Sequence, residues 1–306
     1  KQEKSSAVLH ILVGRTLSRL GRRQADQIVN TAKTIFDRGR LSAGQWDSRV
    51  ACAELFLDAY VVLDHDQAKR VLFEMIAKPV EYSAEVARLL WRLGNVIRAS
   101  ETEDDAVSAA RTKRSWEVMN RICGAASSRL KTLMGRYRDV PSESIPKRKV
   151  EQWRSLSFMV QGAARQLHAA VEDRNRDGQG WKDIPPTCRQ RFYDNSKPLV
   201  QRLGDTGVVP VAHELIEFLA ECLEMDPKGV FLQIGRIIVN AEGAGYQNES
   251  LADRLVVGIV ERYLGEFRGV LAGDSECKEM LIKILDTFVG WKDAMTLTYR
   301  MGELWR

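Results

Sequence analysis

The chain has 306 residues, of which 44% are hydrophobic and 28% are charged, and its formal net charge is +5. This balance excludes a disordered chain and predicts a water-soluble protein with a packed core. Charged residues interrupt every apolar run before it reaches the roughly 18 residues that a membrane span requires, so we predict no membrane partner. The first residue is Lys1 and not Met, and no signal-peptide pattern follows it, so we expect a fragment or processed chain of a larger cytoplasmic protein.

Apolar residues at helical spacing predict helices throughout the N-terminal half, and no alternating strand pattern occurs. The first helix carries Leu9, Leu12, Leu17 and Leu20, and the second carries Ile28, Ala32 and Ile35 and ends at Gly39. The next three are marked by Leu55, Ala59, Val62 and Leu63, by Val71, Leu72, Met75 and Ile76 before Pro79, and by Val86, Leu89, Leu90, Leu93 and Ile97. An acidic cluster of Glu101, Glu103, Asp104 and Asp105 precedes a helix that begins near Ala106, where negative charge favours a helix N-terminus.

Two breaks in the helical pattern suggest the domain organisation. Residues 139–147 contain two prolines, and a polar stretch covers residues 173–186. We predict an N-terminal helical region (1–140), a middle segment with a hinge, a basic helix and a polar loop (141–186), and C-terminal helical hairpins (187–306). The stretch from Asp173 to Gly178 matches the first half of a calcium loop, but Ile184 stands where the loop needs a bidentate carboxylate. A polar turn is the preferred interpretation, and a weak cation site is the alternative.

The C-terminal third predicts helical hairpins. One helix with Val211, Leu215, Ile216, Leu219 and Leu223 ends near Met225, and the next carries Val230, Phe231, Ile234, Ile237 and Ile238 as far as Gly243 and Gly245. Asp226 is placed to cap that second helix, with Pro227 at its first position. A stripe from Leu251 to Phe267 follows, then a break at Gly273, a helix started by Asp274 that carries Met280, Leu281, Ile284, Leu285 and Phe288, and a last helix from about Lys292 to Leu304.

A faint internal repeat relates the two halves of the chain. A shift of 160 residues aligns Glu54, Leu63, Asp66 and Leu72 with Glu214, Leu223, Asp226 and Leu232, in a helix, capping Asp, helix order. This pattern resembles, in a generic way, the helical-hairpin repeats of HEAT and armadillo proteins. The resemblance implies an all-α fold built as an irregular α-solenoid of stacked helical hairpins. A compact helical bundle in two lobes is the alternative.

Positive charge is concentrated in the middle of the chain. Residues 111–154 contain twelve Lys or Arg residues and four Asp or Glu residues, a local excess of eight positive charges around Trp116, Tyr137 and Trp153. Arginine and aromatic side chains together are typical of phosphate contact and base stacking, although solvated basic helix faces are also common. The candidate polyanion-binding residues are Arg111, Lys113, Arg114, Arg129, Lys131, Arg136, Arg138, Lys147, Arg148, Lys149 and Arg154.

The sequence contains none of the common catalytic motifs and offers no paired metal ligands. Cys52, Cys123, Cys188, Cys222 and Cys277 are odd in number and widely spaced, which predicts buried free thiols in a reducing compartment and neither a zinc site nor disulfides. The sequence from His213 to Glu217 resembles half of a zinc-protease helix, but Glu217 replaces the second histidine, so we predict a solvated helix face there. We expect no cofactor.

These observations favour a non-catalytic helical scaffold or regulatory module that binds a protein partner or a neighbouring domain of the same polypeptide. Large multidomain bacterial NTPases, including those of phage defence, carry helical regions of this kind, which is an analogy of architecture alone. A nucleic-acid-binding helical domain that uses the basic 111–154 segment is the second interpretation. An unrecognised helical enzyme is the third.

Overall fold

The computed structural model describes residues 22–38, 46–100, 106–172, 180–242 and 252–287. In these ranges the chain forms twelve α-helices and two short 3-10 helices, Ser142–Ser144 and Trp181–Asp183, and no β-strand. The α-helices are α1 (Arg22–Asp37), α2 (Trp46–Leu63), α3 (Asp66–Ile76), α4 (Ser83–Ser100), α5 (Ala106–Tyr137), α6 (Lys147–Val171), α7 (Pro186–Gly204), α8 (Val209–Ala220), α9 (Pro227–Glu242), α10 (Ala252–Gly265), α11 (Arg268–Gly273) and α12 (Ser275–Thr287). The prediction of an all-α fold is confirmed.

The chain divides into two compact units. Unit 1 is Lys1–Ala163 and unit 2 is Ala164–Arg306, so the boundary falls within α6. This boundary lies inside the middle segment (141–186) that the two sequence breaks define. The solenoid arrangement of the hairpins stays a prediction, because a repeat that covers two hairpins does not define a regular stack.

The core of unit 1 is organised around α2, which packs against α1, α3, α4 and α5. Because neighbours lie on several of its sides, α2 has no single apolar stripe. Phe56, Leu57 and Tyr60 are buried, whereas the predicted markers Leu55 and Val62 are partly exposed. The predicted stripe on α2 is therefore wrong in detail, since a central helix is apolar on most of its circumference.

The apolar face of α1 also differs from the predicted one. Ala25, Val29, Ala32 and Phe36 are buried, while Ile35 is 42% exposed. Phe36 fixes this rotation of the helix, because its ring packs 5.7 Å from the ring of Phe56 and 5.7 Å from the ring of Tyr82, measured between centroids. The aromatic contacts outweigh the burial of one more aliphatic side chain.

Unit 2 is organised around α9, which packs against α7, α8 and α12. The predicted apolar residues of α9 from Val230 to Ile238 are all buried. Gly235 allows the close approach of α12, since a Cβ at this position would overlap Cγ and Sδ of Met280. The preceding helix, α8, ends at Ala220 and not near Met225, because residues 221–225 form turns.

The two hairpins of the internal repeat, α2–α3 and α8–α9, share helix order but not their capping. The Asp226 carboxylate accepts a hydrogen bond of 3.0 Å from the Gly229 backbone N–H, as predicted for the start of α9. In α3 the capping residue is His65, whose Nδ1 accepts from the Ala68 N–H at 3.4 Å, and Asp66 is the first residue of the helix. The predicted capping role of Asp66 is therefore wrong.

Helix α5 begins at Ala106 as predicted. Several other predicted features lie outside the described residues. The features outside the described ranges are the helix with Leu9, Leu12, Leu17 and Leu20, the cluster of Glu101, Glu103, Asp104 and Asp105, the loop from Asp173 to Gly178, the glycines Gly243 and Gly245, and the helix from about Lys292 to Leu304.

Candidate functional site

The basic residues of α5 include two that donate hydrogen bonds to the ends of neighbouring helices. Arg114 Nε donates to the Val61 carbonyl at 2.8 Å, in the last turn of α2. Arg129 donates to the Ala77 carbonyl at 2.7 Å, just after α3. The last carbonyls of a helix have no partner within that helix, so these two guanidinium groups satisfy them. Both arginines thus have a structural role in unit 1.

A further basic residue of α5, Arg121, also contacts side chains of unit 1. The Arg121 guanidinium lies 4.0 Å from the centroid of the Phe73 ring and 3.4 Å from a Glu117 carboxylate oxygen. Arg111 is half-buried and its Nε is shielded from solvent, whereas Lys113 is exposed. The predicted set of eleven cations is therefore not one continuous exposed face.

The remaining seven cations follow one another along the chain from the end of α5 to the start of α6. We call this set the cationic segment: Lys131, Arg136, Arg138, Lys147, Arg148, Lys149 and Arg154. Lys149 is half-buried and its Nζ lies 3.1 Å from Gln152 Oε1, and the others are exposed. Arg138, Lys147, Arg148 and Arg154 make no ion pair within the described part of the chain.

The start of α6 has the wrong charge for helix stability. Lys147, Arg148 and Lys149 occupy its first turn, which contains no acidic residue. The N-terminus of a helix carries a partial positive charge, so each cation there destabilises the helix by about 0.3–1 kcal/mol. Helix stability therefore does not explain these three residues, and a bound anion would relieve the repulsion among them.

The aromatic side chains near this segment differ in accessibility. Trp116 is 5% exposed and packs in the core, and Tyr137 and Trp153 are half-buried. Phe158 on α6 is 67% exposed, and sequence reasoning did not single it out. The signal was present in the spacing, because Arg154 and Phe158 are one helical turn apart on the side of α6 opposite to the buried stripe of Leu156, Met159 and Val160.

In unit 2, Glu214 is a buried carboxylate beside an arginine and a histidine. It is 8% exposed, its Oε2 lies 2.6 Å from Nδ1 of His168, and its Oε1 lies 3.1 Å from Arg165. The prediction of a solvated helix face is thus wrong for Glu214, because α8 turns this residue inward. A carboxylate beside an imidazole can orient a base, but it also neutralises a buried charge, and that second role accounts for the geometry.

A cavity of about 650 Å³ lies in unit 1. Asp26, Asp64, His65, Asp66 and Arg70 are among the residues that line it. His65 Nε2 lies 2.9 Å from Asp26 Oδ1, and its Nδ1 accepts from the Ala68 backbone N–H. The Nδ1 atom therefore serves as the cap of α3, and Nε2 is a buried atom beside the Asp26 carboxylate.

All five cysteines are buried and free, as predicted. Burial raises the pKa of the Cys52 thiol and of the Cys277 thiol to about 11. A thiol with such a pKa is protonated at neutral pH and is a weak nucleophile, so these cysteines act as apolar core residues.

Comparisons with known proteins do not assign the chain to a class or a particular family. No family model matches it, and no similar curated protein or solved structure was found. Within the described residues, no helix is long and apolar enough to cross a membrane, and no group of three or more His, Cys, Asp or Glu residues could hold a metal ion.

Proposed function

We propose that this chain is a non-catalytic helical binding module and that its cationic segment binds a nucleic acid. The observation that carries the proposal is the first turn of α6, where Lys147, Arg148 and Lys149 oppose the helix macrodipole. Residues that cost the helix stability and lack acidic partners need another reason to be there. Contact with phosphate groups supplies one, because each neutralised phosphate releases a condensed counterion.

The proposal separates binding cations from structural ones. Arg114, Arg121 and Arg129 are engaged with α2 and α3, and their substitution would disturb unit 1. Arg136, Arg138, Lys147 and Arg148 are exposed at the end of α5 and the start of α6. The second group can change sign without removing a contact of the core.

The test is a charge-reversal variant with a control of equal charge. Arg136, Arg138, Lys147 and Arg148 are changed together to Glu, and binding of a fluorescent oligonucleotide is measured by anisotropy at low salt. The control changes four exposed cations elsewhere, Arg23, Lys78, Lys182 and Lys283, to Glu, so both variants lose eight units of charge. We expect binding to be lost in the first variant and retained in the control. No binding by the wild type at micromolar protein, or equal loss in both variants, would contradict the proposal.

A helical scaffold that binds a protein partner or a neighbouring domain of a larger protein is the second candidate function. The exposed Trp91 on α4 favours it, with the Arg88 guanidinium 4.3 Å from the centroid of its ring. Trp and Arg are the residue types that most often dominate the binding energy of protein interfaces. The test compares the partners captured by the intact parent protein, by the parent without this segment, and by a Trp91→Ala variant. Identical partner sets in all three would argue against a scaffold.

A further inference from the structure

Phe158 is the most exposed of the large hydrophobic side chains that the structure describes, at 67%. It lies on the outward side of α6, one turn after Arg154 and three turns after Lys147, since the positions 147, 154 and 158 repeat at helical spacing. Leu156, Met159, Val160 and Ala163 on the other side of the helix are buried. The exposed ring therefore does not contribute to the core of unit 1.

The surroundings of Phe158 restrict what can cover the ring. Two exposed cations, Lys147 and Arg154, precede Phe158 on its side of α6, and Glu151 is the one acidic residue between them. An uncharged apolar partner would have to desolvate these cations without compensation. A partner that brings both a flat apolar face and negative charge fits the face better.

We propose that Phe158 stacks on the bases of a single-stranded nucleic acid whose phosphates contact Lys147 and Arg154. This inference rests on the proposed function and names its ligand class. In a single strand the bases are accessible to an aromatic side chain, and base–aromatic stacking adds affinity that does not depend on sequence. In a duplex the bases are paired and stacked on each other, so only the phosphates are available to this face.

The experiment measures binding of the wild type, Phe158→Ala and Phe158→Leu to a single-stranded oligonucleotide of mixed sequence and to its duplex, both at low salt. We expect Phe158→Ala to weaken single-strand binding roughly 5- to 100-fold and to change duplex binding less than about twofold. Phe158→Leu keeps apolar bulk without a ring, so we expect it to behave like Phe158→Ala. Circular dichroism of each variant checks that the helices are intact.

The outcomes separate this inference from the proposed function. If Phe158→Ala leaves single-strand binding unchanged while reversal of the four cations abolishes it, the stacking proposal is wrong and the electrostatic one stands. If the four-cation variant binds as the wild type does, the proposed function itself fails.

Competition with a polyglutamate peptide tests whether the ligand is an acidic protein surface. Displacement of the oligonucleotide by that peptide at a similar concentration would overturn the choice of a nucleic acid.

A second variant examines the acidic residue on the same face. Glu151→Gln removes the negative charge between Lys147 and Arg154 without a large change in shape. We expect tighter binding of both the single strand and the duplex, about two- to fivefold at low salt, because one repulsive contact with phosphate is removed. Unchanged binding of both ligands would place the phosphates away from this side of α6 and would overturn the assignment of Lys147 and Arg154.

Discussion

Among the described residues, three buried glutamates each have a cationic partner from another helix. Glu85 is 0% exposed, with Arg49 Nε at 3.2 Å. Glu54 is bound by Arg88 Nε at 2.7 Å, and Glu214 is bound by Arg165 and His168. A buried carboxylate loses its hydration, and a close opposite charge offsets that loss, so removal of one partner leaves an uncompensated charge. These pairs tie helices together and make individual residues critical for folding.

The Arg49–Glu85 pair gives the sharpest prediction for stability. The Arg49 side chain is 11% exposed, and its guanidinium lies 4.9 Å and 5.1 Å from the ring centroids of Phe36 and Tyr82, so the charge stays largely buried when Glu85 is removed. We expect Glu85→Ala to lower the free energy of unfolding by about 3–5 kcal/mol, measured by urea denaturation. The double variant Arg49→Leu with Glu85→Leu, which removes both charges, should be less destabilised than the single variant. A single variant that loses less than about 1 kcal/mol would contradict this expectation.

The Cys52 thiol makes stability depend on pH in the alkaline range. Burial raises the pKa of Cys52 from 9.0 to about 11, so the folded protein holds the thiol proton more tightly than the unfolded chain does. Its contribution to stability is complete below pH 9 and is lost as the pH rises through about 11. Relative to Cys52→Ala, the wild type should therefore lose roughly 2–3 kcal/mol of stability between pH 7 and pH 11. Urea denaturation of both proteins measures this difference. The buried tyrosines contribute equally to the pH dependence of both proteins, so their contribution cancels. A difference that stays constant with pH would show that the thiol is not buried.

At the scale of the elements, helix α5 combines a structural face with an exposed one. Its residues Ser108, Val118, Met119 and Ile122 are buried within unit 1. The carbonyl groups that accept hydrogen bonds from Arg114 and Arg129 lie at the ends of α2 and α3. The sequence alone could not separate these arginines from the exposed ones. Arg114 and its acceptor Val61 are 53 residues apart, so the contact exists only after folding.

Adjacent residues on α5 provide a matched pair for this distinction. Arg114→Ala removes a charged hydrogen bond to the Val61 carbonyl, and we expect a loss of about 1.5–3 kcal/mol in the free energy of unfolding. Lys113→Ala removes the same charge from an exposed position and should change stability by less than about 0.5 kcal/mol. Thermal and urea denaturation measure both. Equal effects in the two variants would mean that Arg114 contributes through charge and not through its hydrogen bond.

At the scale of the whole molecule, a helix was predicted correctly where its buried face forms an apolar stripe that is visible in the sequence. Helices with one buried face, such as α4 with Val86, Leu89 and Leu93, were predicted correctly, because a single stripe at helical spacing is visible in the sequence. Central α2 and the rotation of α1 were not, since tertiary contacts decide which side is buried. The sequence likewise located the positive charge but not Phe158, because exposure of an aromatic residue depends on what packs around it.

The net charge of the whole molecule allows binding due to charge alone to be distinguished from binding at a defined surface. The wild type carries +5, and each four-cation variant would carry −3, so weak binding due to net charge alone would fall equally in both. Contact by five of the exposed cations, Arg136, Arg138, Lys147, Arg148 and Arg154, with a single strand gives a slope of log K against log salt of at most about −3.5. We expect the variant of the cationic segment to lose about three units of this slope and the control to keep it. Affinities measured between 50 and 200 mM salt give the slopes. Equal slopes in all three proteins would show that no defined surface binds the phosphates. A smaller slope in the variant of the cationic segment alone would place the contact at the end of α5 and the start of α6.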